Sequence, residues 1–400
     1  MPMPDDPATR PAVRLMPLRD KRMVHGHPWV YSNEIVMDAA AKSLPPGALV
    51  TVQTAAGMAL GVAMFNPHPL ISARILDRDP ARPIDEAWFA ARLTRALRLR
   101  ERLYDRPYYR LVHAEADGLS GVVVDRFGEV LAIAVNTAGI DRLEAEFLAA
   151  CDAVLHPRAI VLRNDGAARR LEGLPLETRI VGTLPDPVAI EENGARFLVD
   201  PVAGQKTGWF FDQRENRRVV AGLAKGARLL DLYCFTGGFA IAAAGAGARE
   251  VVGIDRSEPA LALARQAAEM NGAANCCRFE RAEVFARLEE LAAAGDRFDI
   301  VVADPPAFVK SRKELGPGLR GYRKLARLAA ALVAPGGALF IASCSHNVAV
   351  LDFAEAVRRG LHDAGRVGRI IQSSGAAPDH PVHPDLPESA YLKAQLLALD

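Results

Sequence analysis

The chain has 400 residues, half of them hydrophobic and 24% charged, with a formal net charge of +1. Such a composition supports a buried core in two or three domains and excludes a wholly disordered chain. The balanced charge excludes a globally basic nucleic-acid binder, so only local patches could meet a polyanion.

The opening residues MPMPDDPATR lack the apolar stretch of a secretory signal, and residues 1–10 are expected to form a disordered tip. No apolar run reaches membrane-helix length, and the best candidate is broken at Pro335-Gly336-Gly337. The cysteines Cys151, Cys234, Cys276, Cys277 and Cys344 have no C-x-x-C spacing, and the histidines have no ligand spacing. A reducing cytoplasm is therefore expected, without a zinc or disulfide framework.

From Val13 to about Leu76 short apolar runs alternate with turns: VRLMPL, WVYSNEI, LVTVQT, LGVAMF and ISARIL. This pattern predicts a small β-barrel over residues 1–76. Lys21, Arg22 and Trp29 stand together with His25, His27 and Tyr31. Cations beside aromatics suit RNA phosphates and bases, although a solvated rim around a buried tryptophan has the same composition.

Residues 77–188 read as a central α+β unit. Asp85–Tyr104 has helical spacing, with Phe89, Leu93, Ala96 and Leu97 on one side and Arg92, Arg95, Arg98, Arg102 and Arg106 on the other. The arginine side is either a solvated face or a phosphate-binding stripe. Two strands around turns over Leu111–Val135, LVHAEADGLSGVVVD and GEVLAIAV with turns marked by Asp117-Gly118, Ser120-Gly121 and Phe127-Gly128, a helix at Leu143–Leu155 and strands at Ala159–Arg163 and Glu177–Val181 complete the unit.

Residues 189–400 form the last and largest unit. It opens with Glu191–Asp200 and the segment QKTGWFFDQRENRR, where Gln205, Lys206, Thr207 and Arg214 could face a ligand. The stretch Leu229–Asp255 follows, LLDLYCFTGGFAIAAAGAGAREVVGID. It reads as strand, glycine turn at Gly237-Gly238, helix and second strand. That strand ends in an acid about 20 residues on, where a carboxylate meets ribose hydroxyls in such units. The turn is not GxGxxG, and Asp231 inside the first strand would repel a pyrophosphate. A ligand with a cationic amino-acid end tolerates it, which points to S-adenosylmethionine (SAM).

Further strands and helices alternate down to Phe298–Ala303, which stops at Asp304-Pro305-Pro306, and, after a helix at Tyr322–Leu332, to Ala338–Ala342, which ends in Ser343-Cys344-Ser345-His346. Alternation predicts a doubly wound parallel sheet, in which ligands bind beyond the carboxyl ends of the strands. Asp231, Asp255, Asp304 and Cys344 all fall at such ends.

Two prolines after Asp304 stiffen a segment able to hold a base edge, and Phe308 could stack on a flat ring. A lone cysteine is usually a small buried hydrophobe. Cys344 instead lies at a strand end between serines, where a thiolate could attack C6 of a pyrimidine and activate C5 for methyl transfer.

The stretches DLYCFTGGFAIAAAGAGAREVVGID, VVADPPAFVKSR and ASCSHNV resemble motifs of class I SAM-dependent methyltransferases. Together with KRMVHGHPWVYSNEI, GQKTGWFFDQRENRR and the tail DHPVHPDLPESAYLKAQLL, they resemble the bacterial large-subunit rRNA cytosine-C5 methyltransferase family over nearly the whole chain. The resemblance implies a PUA β-barrel, a central α+β domain and a Rossmann-like methyltransferase domain. It also implies that Asp231, Phe235, Gly237 and Gly238 line the SAM amino-acid end. Asp255, with Arg256 beside it, would meet the ribose, and Glu283 the adenine. Gln205, Lys206, Thr207 and Arg214 would approach the methionine part. Asp304, Pro305 and Pro306 would hold the target base, and Cys344 would be the nucleophile.

Two positions depart from the family. Glu283 stands where an aspartate is usual, and Pro-Pro-Ala-Phe offers no second cysteine after Asp304 to assist release. The expected partner is large-subunit rRNA, with no membrane or metal, and a homodimer stays open. Two other readings stay open as well. One is methylation of guanine N7 or an exocyclic amine without a covalent step; the other is an RNA-binding assembly factor with a SAM fold and no turnover.

Overall fold

The computed structural model describes residues 6–400; the remainder of the expected loose tip, residues 1–5, lies outside them. Residues 6–10 are not loose. Arg10 donates to the carbonyl oxygens of Pro80 (2.8 Å) and Arg82 (3.0 Å). The chain divides into two compact units. The first runs to Val188 and takes back Asp200–Trp209 and Asp379–Pro387. The second holds Ala189–Val199, Phe210–Pro378 and Glu388–Asp400.

The first unit begins with β1 (Ala12–Arg14), α1 (Lys21–His25), β2 (Trp29–Tyr31), α2 (Ala39–Ser43), β3 (Ala48–Gln53), β4 (Ala59–Phe65) and β5 (Ile71–Asp77). The strands order as β1-β3-β4-β5-β2. The sheet closes on itself where Leu15 bridges Ile35, with Met16 N–H on Glu34 O (2.8 Å) and Val36 N–H on Arg14 O (2.9 Å). Alternate residues such as Val13, Val30, Val50, Val52 and Phe65 fill the closed interior, as the period-two pattern requires.

α3 (Glu86–Leu103) follows, capped by the Asp85 carboxylate on Trp88 N–H at 2.9 Å. Then come β6 (Tyr108–His113), β7 (Val122–Phe127), β8 (Val130–Val135), α4 (Ala138–Arg142), α5 (Glu144–Leu155), β9 (Ala159–Asn164), α6 (Ala168–Leu171) and β10 (Glu177–Gly182). Their sheet orders as β10-β9-β8-β7-β6. α3 and α5 pack together, with Phe89 and Phe147 rings 5.4 Å apart.

LVHAEADGLSGVVVD is not one strand. It breaks after His113 into a tight turn over Ala114–Asp117, because the Asp117 carboxylate takes His113 N–H (2.6 Å) and Gly118 adopts a left-handed φ of 74°. That side-chain acceptor offers the backbone an alternative to the ladder.

The second unit opens with a hairpin, β11 (Val188–Glu192) and β12 (Ala195–Val199), and α7 (Arg214–Ala221). Its main sheet uses β13 (Arg228–Leu232), β14 (Glu250–Asp255), β15 (Cys277–Arg281), β16 (Phe298–Ala303), β17 (Val333–Ser343), β18 (Gly368–Ser374) and β19 (Lys393–Leu399). The helices between them are α8 (Gly238–Gly245), α9 (Glu258–Met270), α10 (Val284–Ala293), α11 (Leu315–Leu332) and α12 (Val350–Asp363).

The strand order is β15-β14-β13-β16-β17-β19-β18. β13 through β17 are parallel, and β19 runs antiparallel to both its neighbours. The order reverses between β13 and β16, so their carboxyl ends frame the crevice expected of this architecture. Among the described residues no helix is long and apolar enough to cross a membrane.

α11 starts at Leu315, earlier than the Tyr322 that the sequence predicted. Pro317 sits in its first turn, where a missing N–H costs nothing. Gly318 is required there, since a Cβ would lie 2.2 Å from Val309 Cγ2.

Candidate active site

The second unit brings Asp231, Asp255, Asp304 and Cys344 to one edge of the sheet. Asp231 lies opposite Gly253 and Val302 in the ladder, and Asp255 ends β14. Asp304 follows β16, and Cys344 follows β17; Ala303 pairs with Ile341, so both segments leave the sheet at the same end.

The turn after β13 hangs on β14. Cys234 N–H donates to Ile254 O (3.1 Å), and Phe235 N–H to the Asp255 carboxylate (3.0 Å). The second oxygen of Asp255 takes Ser257 N–H at 2.8 Å. Both oxygens thus orient the loop, and each keeps a lone pair. Tyr233 and Phe235 both hold left-handed φ values, 61° and 51°, which residues with a Cβ adopt at a cost. Gly237 follows with φ 82° and leads into α8 at Gly238.

Asp231 is 1% exposed. One carboxylate oxygen accepts Ala240 N–H at 3.0 Å, and the other has no partner. Burial pushes its pKa up to about 8, and the charges of Asp304 and Asp255 push the same way. The buried Thr236 hydroxyl is also unpartnered. A buried acceptor left open is costly unless a donor arrives. A ligand ammonium supplies that donor and a compensating charge.

The Cys344 thiol points at the Pro305 carbonyl, 4.0 Å away. Its flanking backbone is pinned on both sides. Ser343 and Ser345 hydroxyls both meet the Tyr322 hydroxyl at 2.8 Å. Lys393, on the strand beside β17, donates from Nζ to Ser345 O and Val348 O, each at 2.7 Å. Burial pushes the pKa of Lys393 down, which is the net direction, while the neighbouring Cys344 pulls it up, so lysine cation and thiolate favour one another. Sequence reasoning missed Lys393. Its signal was a lysine inside the apolar strand KAQLLAL.

The remaining expected residues fall as follows. Pro305 is buried and Pro306 exposed beside Asp304. Phe308 is half-buried, packed on Tyr322 (4.7 Å between rings) and Phe285 (6.2 Å). Glu283 is exposed at the start of α10; burial pushes the pKa of the Tyr233 phenol up, and the Glu283 charge pushes the same way. Arg256 is exposed beside Asp255. Arg214 is buried and pairs with Glu192 (3.3 Å). Arg217, which the sequence reading passed over, makes the closer bond to Glu192 (2.6 Å), and its charge favours ionised Asp231.

Gln205, Lys206 and Thr207 fold with the first unit: Thr207 is buried and its hydroxyl donates to the Asp125 carboxylate. Lys21, Arg22 and Trp29 also lie there, already engaged in part. Arg22 pairs with Glu34 (3.1 Å), and Trp29 Nε1 donates to Glu115 (2.8 Å).

A doubly wound sheet with acids at the ends of β13, β14 and β16, the first of them buried with one oxygen open, defines a SAM-dependent methyltransferase site. The family model for S-adenosylmethionine-dependent methyltransferases matches residues 104–398, and that of a PUA-like domain matches residues 13–78. The chain belongs to this methyltransferase family, among relatives named "Ribosomal RNA large subunit methyltransferase I". One from Pseudoalteromonas atlantica is 36% identical, covering 95% of this chain and 97% of its own. Another, from Aeromonas hydrophila, is 37% identical, covering 96% and 98%. In fold, the chain is similar to "A putative sam-dependent methyltransferase from Streptococcus mutans" (TM-score 0.80, 20% identity, 97% of this chain and 100% of that one). It is equally similar to a methyltransferase solved in complex with SAH (TM-score 0.81, 20% identity, 97% and 99%).

Proposed function

We propose that the protein methylates C5 of a cytosine in large-subunit ribosomal RNA through a transient bond to Cys344. The observation that carries this reading is the thiol of Cys344, on a pinned strand-end loop, facing the Asp304-Pro305 segment across the crevice. The relatives' name supplies the RNA class, and the PUA-like domain is in keeping with it.

Bound SAM supplies an electrophilic methyl group. Asp231 holds its ammonium through the open oxygen, with Phe235, Gly237 and Gly238 shaping the turn. Asp255 and Arg256 meet the ribose, Glu283 the adenine. Asp304, fixed by Pro305 and Pro306, holds the cytosine edge, and Phe308 flanks it. The thiolate of Cys344, favoured by the Lys393 cation, adds to C6. C5 would become nucleophilic and take the methyl group as its bond to the sulfonium breaks, the donor leaving as a neutral thioether. Loss of the C5 proton to a base or water then expels the thiolate and restores the ring.

Unmodified 23S rRNA incubated with SAM and either wild type or Cys344→Ala, then analysed by nucleoside mass spectrometry, tests this. 5-Methylcytidine from wild type alone is expected. A different methylated nucleoside, made equally by the variant, would overturn the covalent route.

A further inference from the structure

The exposed side of α3 carries arginines at one-turn spacing, whereas several arginines on other helices are paired. On α12, Arg358 and Arg359 share Glu355. On α11 Arg323 pairs with Asp363, and on α9 Arg265 pairs with Glu258. On α3, Arg98 and Arg102 make no ion pair or hydrogen bond among the described residues, though they sit one turn apart and repel one another. With Arg95 they line an open trough of ≈480 Å³ whose other walls are Ala91, Thr94 and Leu99, with no carboxylate among them.

The trough adjoins a second hollow of the same unit. Arg95 also donates to Asp117 O (3.1 Å), and the next residue, Gly118, lines a cleft of ≈340 Å³. Arg78, Arg92 and His27 supply cationic or donor groups to that cleft, Asp77 and Glu115 acceptors, and Ile75 and Leu76 an apolar floor; Arg92 already pairs with Asp77 (2.9 Å), and Glu115 already accepts from Trp29 (2.8 Å) and Ser120 (2.6 Å). Its size lies in the range of small-ligand sites. Donors, acceptors and an apolar floor together suit a heterocycle better than a bare phosphate. Arg95 to Arg102 spans about 10 Å of helix, room for about three phosphates of one strand.

We propose that the arginine face of α3 and the adjoining cleft form a docking track for single-stranded RNA, phosphates on Arg95, Arg98 and Arg102 and one base in the cleft beside Arg78. This rests on the RNA-methyltransferase reading and adds a binding site away from Cys344. Single-stranded RNA is held in this way elsewhere, by cations along the backbone and pockets for splayed bases. Arginine rather than lysine fits, because its planar fork matches phosphate oxygens.

The test compares wild type with Arg98→Glu/Arg102→Glu, Arg98→Lys/Arg102→Lys and Arg78→Glu. The readouts are KM and kcat on unmodified 23S rRNA, SAM affinity, and the salt dependence of binding to a fluorescent single-stranded RNA. The glutamate pair is expected to raise KM for RNA at least about tenfold, with kcat and SAM affinity unchanged. It should flatten the log–log salt slope by about 1.4, two phosphate contacts on a single strand. The lysine pair should recover most of the affinity, and Arg78→Glu should raise KM without the full change in slope. An unchanged KM and slope in the glutamate pair, with SAM still bound, would overturn the track. So would polyglutamate competing as well as RNA, since the face would then read charge from an acidic protein. A wild type that binds SAM but neither binds nor methylates RNA would remove the underlying reading instead.

Discussion

Lys393 holds the carbonyl of Ser345 at 2.7 Å, and so fixes the residue that follows the candidate nucleophile. The lysine is 6% exposed, and its second bond reaches Val348 O at the same distance. A buried cation with two carbonyl partners is a clamp on the loop as well as a charge beside Cys344. Lys393→Met keeps the stem and removes both. Methyl transfer is expected to slow by roughly 10–100-fold in kcat, while SAM affinity stays within about twofold. The pH at which the thiol of Cys344 reacts with iodoacetamide should rise. If that alkylation profile does not move, the lysine acts on loop position alone.

The open oxygen of Asp231 makes SAM binding pH-dependent, with a definite sign. In the free protein the carboxyl holds its proton up to about pH 8, against an ordinary value of 3.8. Between those values the folded form binds a proton that the unfolded chain has lost, so this group's contribution to stability falls as pH rises. The ligand ammonium reverses the preference and favours the carboxylate. SAM affinity should therefore climb as pH rises towards about 8, by at most about tenfold per unit, and level off above it. Calorimetry in buffers of different ionisation enthalpy should show proton release at neutral pH. Asp231→Asn should bind at least about tenfold more weakly with a flat profile. A wild-type affinity that does not vary between pH 6 and 8 would place the ammonium elsewhere.

The strand ends were legible in the sequence because parallel strands buried on both faces read as apolar runs, and an acid or cysteine closing such a run is conspicuous. Asp231, Asp255, Asp304 and Cys344 stand out on that ground alone. The start of α11 was hidden because Gly316, Pro317 and Gly318 read as breakers, although proline suits a first turn and Gly318 answers Val309. The turn at Asp117-Gly118 was legible from its residues, but its start after His113 was hidden because a side-chain acceptor, not a proline, ends the strand. Lys393 and Arg217 were invisible for another reason. Which charge is buried depends on partners distant in sequence, and periodicity carries no record of them.

Gly253, in the ladder beside Asp231, is a position where space rather than φ demands glycine. An added Cβ would lie 2.6 Å from Phe279 Cδ1 and 3.0 Å from Cys234 Sγ. Gly253→Ala should therefore displace the Phe279 ring or the turn at Cys234, costing about 1–3 kcal/mol. Because that turn carries Phe235 against Asp255, SAM binding should weaken together with stability. Gly272→Ala serves as a comparison, with nothing within 4 Å of the new atom but a φ of 67°. It should lose stability through backbone strain alone and keep its SAM affinity. Equal SAM affinities in the two variants would show that the turn absorbs the added methyl.

Arg100 and Arg98 lie on the same helix two residues apart and should behave as opposites. Arg100 is 0% exposed, and its guanidinium grips both Asp117 oxygens at 2.6 and 2.8 Å. It also donates to Arg110 O and Asp379 O, each at 2.9 Å, tying the returning segment into the first unit. Arg100→Met leaves a buried carboxylate and two carbonyls without their donors, at a cost of about 3–5 kcal/mol. For a unit of this size the thermal transition should fall by roughly 6–20 °C. Arg98→Met, on the exposed face, should stay within about 0.5 kcal/mol of wild type. Arg100→Met/Asp117→Leu should recover part of the loss, since an apolar pair leaves no buried charge unmatched. Similar transition temperatures for Arg98→Met and Arg100→Met would mean that the ion pair contributes nothing beyond its apolar stem. Failure of the double variant to recover would assign the loss to the carbonyls of Arg110 and Asp379 and to His113 N–H, which loses its acceptor with Asp117.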